Sequence, residues 1–149
     1  MEKAIELLEK MIREGFLLHG SSRQICDAVE PRQARCSSGR QQGCLTGVYA
    51  DDRLRAPCLR ATLALLDARQ GWSSSYSAET DDDPMVVTGQ NATFRPGYIY
   101  VLPGTAFEDL GGEFFSKVEV MPHTIVRITP NILRLLPNMD IRIPVPTSW

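Results

Sequence analysis

Histidine is scarce in this chain. Of 149 residues only His19 and His123 carry an imidazole, so a serine or cysteine triad would have to be built around one of the two, and nothing in the spacing supports one. Cys26, Cys36, Cys44 and Cys58 include no C-x-x-C pair. That spacing marks zinc sites and thioredoxin-like redox motifs, so the expectation is reduced thiols and no metal. There is no G-x-S-x-G elbow, no P-loop and no G-x-G-x-x-G, which removes the usual signatures of serine hydrolases, phosphate-loop enzymes and doubly wound dinucleotide binders. No apolar run reaches membrane-spanning length. Acids and bases interrupt "MEKAIELLEKMIREG" throughout, unlike a signal peptide, and the expectation is a cytoplasmic protein with no membrane partner. Neither charge dominates. Lys+Arg number 16 and Asp+Glu 18, for a net charge of -2, so nothing pulls the whole chain toward nucleic acid or anionic lipid, and no nucleic-acid module signature is present.

What remains is a globular composition. With 149 residues and 43% hydrophobic content the chain is long enough for one cored domain and short for two, so residues 1–149 are read as a single domain. Arginines concentrate in residues 32–69 and acids in residues 79–83. Both stretches read as solvated faces, although guanidinium groups also suit phosphate ligands.

Periodicity orders the elements. Ile5, Leu8 and Ile12, flanked by Leu7 and Met11, predict a helix over residues 2–14 that Gly15 stops. "FLLHG" predicts a short buried strand. Residues 25–29 predict a brief helical segment broken at Pro31, and "SSGRQQG" a loop. "CLTGVYA" predicts a strand ended by Asp51-Asp52. Residues 55–68 predict a helix with Pro57 in its first turn. Residues 69–83 read as a polar connector. "MVVTG", "GYIYVLP", "FFSKVEVMP" and "TIVRITP" predict strands, and "IRIPVPTSW" an extended tail. Helices early and strands late predict an α+β fold: N-terminal helices with a mostly antiparallel β-sheet, whole or split.

Three pieces then fall in sequence order: His19-Gly20-Ser21 at the end of the first strand, Tyr49 within "GVYADDRLRA", and Glu119 within "VEVMPHTIVRI". The set resembles the ADP-ribosyltransferase superfamily of the His-Tyr-Glu type, over roughly residues 16–130. The resemblance implies an ADP-ribosyltransferase-like domain that takes NAD as substrate, cleaves its nicotinamide–ribose bond and passes ADP-ribose to an acceptor of unidentified class: protein, nucleic acid or small molecule. It implies catalytic roles for Glu119, His19 and Tyr49. It implies NAD contacts from His19, Gly20, Ser21, Tyr49 and Arg23.

These roles are chemically coherent. Cleavage at the ribose carbon passes through an oxocarbenium-like state, which a carboxylate such as Glu119 stabilises. Tyr49 offers a flat face for nicotinamide. A ring nitrogen of His19 and the Ser21 hydroxyl suit the ribose hydroxyls, Gly20 lets backbone approach the ligand, and Arg23 or Arg53 suits the pyrophosphate. The chain also departs from the family. "PCLRAT" holds Leu59 and Arg60 where many relatives have a second aromatic, so the other ring wall falls to Phe94, Tyr98 or Phe107. Lys117 stands where arginine-modifying relatives have Glu or Gln, which argues against arginine as the acceptor.

Each residue also has a plain structural reading. His19 beside Gly20 serves in turns, Tyr49 suits a half-buried strand, and Glu119 between Val118 and Val120 suits a solvent-facing strand position. Glu113 competes with Glu119 for the catalytic role, although the adjacent Gly111-Gly112 favours a loop. The alternative function is accordingly a non-catalytic binding module of similar fold.

Overall fold

The computed structural model of the chain describes residues 1–24, 27–33, 46–71, 73–78, 80–111 and 113–145. The expected loop "SSGRQQG" lies outside them, as do Cys26, Cys36 and Cys44. Helix α1 spans Glu2–Arg13. Its apolar stripe buries Leu8 and Met11, with Ile5 and Ile12 packed beside them. Gly15 ends the helix with φ +93°, a left-handed turn that glycine takes without a Cβ penalty.

Strand β1 (Phe16–Ser21) follows, and its antiparallel partner is the long β8 (Gly97–Pro103). On the far side of β8 lies β11 (Thr124–Ile128). A second sheet orders β2 (Arg32–Gln33), β3 (Thr46–Ala50), β10 (Phe114–Ser116) and β9 (Glu108–Asp109) as β2-β3-β10-β9. The short β4 (Leu63–Leu65) pairs with β7 (Ala92–Phe94). Strand β6 (Met85–Gln90) lies between β5 (Ser73–Ser77) and β12 (Met139–Ile141). Its pairing with β12 is parallel, while every other ladder among the described residues is antiparallel. The fold is thus α+β, with antiparallel-rich sheets that are split rather than continuous.

Two apolar clusters meet across β1 and β8, and period-two alternation assigns residues between them. Leu18, Ile99 and Val101 enter the larger cluster with α1 and with helix α2 (Arg55–Thr62). Leu17, Tyr100 and Leu102 enter the smaller one with Val29, Val48, Ala50 and Val120. Helix α2 lies directly on the β1–β8 backbone. A Cβ at Gly20 would strike the Pro57 carbonyl, and one at Gly97 would strike that of Ala61. Both glycines are therefore needed for close approach. A four-residue helix α3 (Ile132–Leu135), absent from the sequence reading, closes the larger cluster with Ile132 and Leu133.

The remaining differences have local causes. The helix expected over 55–68 stops at Thr62, whose Oγ1 bonds back to the Cys58 carbonyl at 2.8 Å, and Leu63 turns extended to pair with Phe94. Sheet pairing overrides the helical stripe there. The polar connector over 69–83 contains β5, recruited by the edge of β6. Within the expected helical segment 25–29, Val29 instead bridges Val120, and residues 25 and 26 lie outside the described set. The strand expected over "FFSKVEVMP" ends at Ser116. The Ser116 Oγ donates to the Val118 carbonyl at 3.1 Å and accepts the Val118 N–H at 3.4 Å, a side-chain turn that competes with the ladder. Lys117, Val118 and Glu119 consequently leave the sheet, and only Val120 rejoins it through a single bridge.

Candidate functional site

The site begins where β1 and β3 part. They share one rung, in which Leu18 N donates to the Asp51 carbonyl at 2.8 Å and Asp51 N donates back at 2.9 Å. An antiparallel ladder continued from Leu18↔Asp51 would next pair Gly20 with Tyr49. That rung is not formed. Instead the Nδ1 of His19 lies 2.7 Å from the Tyr49 carbonyl oxygen, so the imidazole ring occupies the separation between the strands. A carbonyl only accepts, so Nδ1 carries a proton and donates it to Tyr49.

Strand alternation decides where Gly20 points. His123 N bonds the Val101 carbonyl on the β11 side of β8, so by alternation Tyr100 bonds toward β1 and meets His19. The backbone N–H and C=O of Gly20 then face the other way, toward β3. Among the described residues they have no backbone partner across that gap. One donor and one acceptor of a single residue thus face the gap between the strands, with the His19 imidazole bonded to the Tyr49 backbone beside it. By alternation from the Leu18↔Asp51 rung, the Tyr49 ring and the Pro57 carbonyl lie on the Leu18 face and the His19 ring on the other.

The turn after β1 is tied down. Ser21 Oγ accepts the Arg23 N–H at 3.2 Å, and the Tyr100 hydroxyl donates to the Arg23 carbonyl at 2.9 Å. Tyr100, opposite His19 in the ladder, meets its ring edge-on at 6.2 Å between centroids. His19, Ser21 and Arg23 therefore form one braced unit.

On β3, Tyr49 is half-buried and leans on Phe115, with centroids 5.2 Å apart and planes at 55°. Burial, and second the charge of Glu113, push its phenol above the usual tyrosine range. Burial likewise raises the carboxyl of half-buried Asp51, partly opposed by the Arg53 N–H on its Oδ1 at 3.1 Å. The Arg53 side chain lies exposed between Asp52 at 3.8 Å and Asp81 at 3.6 Å.

Glu119 stands apart. It is exposed and outside any strand, and no hydrogen bond or ion pair ties it to His19 or Tyr49 among the described residues. Its neighbour Val120 is only 4% exposed and lies in the cluster with Tyr100. Of the three aromatics expected for the second ring wall, Phe94 is 2% exposed in the larger core and is removed from consideration. Phe107 packs against the smaller cluster. Tyr98 pairs with Ser21, on the face that carries His19.

Two features escaped the sequence reading. Phe115 is the aromatic that meets Tyr49, and only strand register reveals it. Arg55 is 6% exposed and donates to the carbonyls of Asp83 at 2.7 Å, Thr80 at 2.8 Å and Asn138 at 3.1 Å, with Asp81 at 3.7 Å. It pins the acidic turn to the start of α2, so this acidic run is more than a solvated face. No group of three His, Cys, Asp or Glu suited to a metal occurs among the described residues. Burial pushes the Cys58 thiol up to about 12, which makes it a poor nucleophile. No helix of the described residues is long and apolar enough to cross a membrane. No family model matches the chain, and no curated protein or solved structure matches it.

Proposed function

We propose that this chain is an ADP-ribosyltransferase-like protein that binds NAD in the opening between β1 and β3 and cleaves its nicotinamide–ribose bond. The observation that carries the reading is the His19 wedge at Tyr49. It leaves the Gly20 N–H and C=O facing a gap, a donor and acceptor matched to the planar carboxamide of nicotinamide. Tyr49 supplies a ring face on the Leu18 side of the gap. On the other side the His19 imidazole and the Ser21 hydroxyl meet ribose hydroxyls, and Arg23 meets the pyrophosphate. Glu119 stabilises the developing positive charge at the ribose carbon.

The test is nicotinamide release from NAD by the wild type beside Glu119→Gln, with thermal melting in NAD run on both. Release that disappears in the variant, with its melting point kept, supports the enzyme. Equal release from both removes Glu119 from the mechanism.

A second reading is a binding module of similar fold without catalysis. The exposed, off-strand position of Glu119 favours it. It predicts an NAD-dependent rise in melting temperature with no nicotinamide released.

A further inference from the structure

The ladder between β3 and β10 pairs Phe114 with Ala50 and Phe115 with Tyr49. Glu113 precedes the strand, and extending the register one step past its last pair sets it opposite Asp51. Directly opposed residues share a face of an antiparallel pair, and so do residues two apart on one strand. Tyr49, Phe115 and Asp51 therefore belong to one face, and the extended register adds Glu113 to it; both acids are half-buried. The two acids differ in their surroundings. Asp51 accepts the Arg53 N–H and feels the positive charges of Arg60 and Arg53. Glu113 has no ion-pair partner among the described residues, and its charge reaches the Tyr49 phenol.

A neutral ring stacked on Tyr49 gains little from an adjacent carboxylate. A cationic ring gains twice, from the negative face of the tyrosine and from the fixed charge beside it. We propose that Glu113 is a specificity-determining residue that selects a cationic aromatic ring, an N-substituted pyridinium, over its neutral counterpart at Tyr49. Resting on the NAD reading, this makes the oxidised, cationic nicotinamide ring the ligand and the reduced, neutral dihydropyridine a poor one.

The experiment is calorimetric titration of wild type, Glu113→Gln and the control Glu9→Gln with four probes: NAD+, NADH, 1-methylnicotinamide and nicotinamide. Melting curves verify that each variant is folded. Glu9 is exposed on α1, so its variant removes the same charge far from the ring. We expect the wild type to prefer each cationic probe over its neutral counterpart. Glu113→Gln should weaken the cations by about tenfold and leave the neutral probes unchanged, while Glu9→Gln changes nothing. Tight NAD+ binding with no effect of Glu113→Gln, or an equal loss for NADH, overturns the selection and spares the NAD reading. Glu113-dependent binding of 1-methylnicotinamide without NAD+ binding upholds the selection and overturns the dinucleotide. Binding of no probe by the wild type overturns both.

Discussion

The Nδ1 of His19 and the carbonyl oxygen of Tyr49 stand 2.7 Å apart, where a backbone rung between β1 and β3 would otherwise continue. One side-chain bond thereby stands where a ladder rung would be and makes Nδ1 a donor, beside the gap that the Gly20 backbone faces by strand alternation. Structure and proposed chemistry meet in that bond, and substitution can separate them.

Asparagine at position 19 keeps a short N–H donor for the Tyr49 carbonyl and has no equivalent of Nε2. His19→Asn should therefore melt close to the wild type and lose nicotinamide release. His19→Ala removes the donor as well and leaves the carbonyl unmatched, a loss of about 1–3 kcal/mol. Equal melting losses in both variants would show that the bond does not hold the wedge.

Gly20→Ala tests the close approach of α2. The added Cβ meets the Pro57 carbonyl, a backbone atom that cannot swing aside, so the helix must lift. Chemical denaturation should register a loss of about 1–3 kcal/mol or more. Gly97→Ala, which meets the Ala61 carbonyl, should cost a similar amount. Of the two, Gly20 is the residue at the opening, so only its variant should also alter the NAD-induced melting shift.

Asp51 offers a pH test. Its carboxyl is raised by burial, so ionisation is less favourable folded than unfolded. A raised pKa contributes stability that is complete below the unfolded value and is lost as pH rises through the folded one. Asp51→Asn keeps an Oδ1 to accept the Arg53 N–H and carries no charge. The variant should melt above the wild type at pH 7, and the gap should close toward pH 3. A lower melting point at pH 7 would mean that Arg53 and Arg60 outweigh the burial.

Arg55→Met removes a buried guanidinium that ties the carbonyls of Thr80, Asp83 and Asn138 to the start of α2. Three carbonyls lose a charged donor, and a loss of about 3 kcal/mol or more is expected. Limited proteolysis should then cut the acidic turn around residues 80–83 faster than in the wild type. Unchanged cleavage there would show that the turn holds without this clasp.

The sequence by itself determined those elements whose patterns agree with their surroundings. Helix α1 has a stripe and a glycine stop, and β1, β3, β8 and β11 have β-branched and aromatic runs bounded by turn residues. The strand positions of His19, Gly20 and Tyr49 were legible for the same reason, since each sits in a short strand with a readable end. Tertiary structure decided what depends on partners distant in the chain. Leu63 leaves a helical stripe because Phe94 offers a ladder. Glu119 leaves its expected strand because the Ser116 hydroxyl makes a local turn. Phe115 joins Tyr49 only through the register of β3 on β10. Local propensity is written in neighbouring residues, whereas register and burial are set by the whole packed chain. The first could be read from the letters, and the second emerged only when the sheets were assembled.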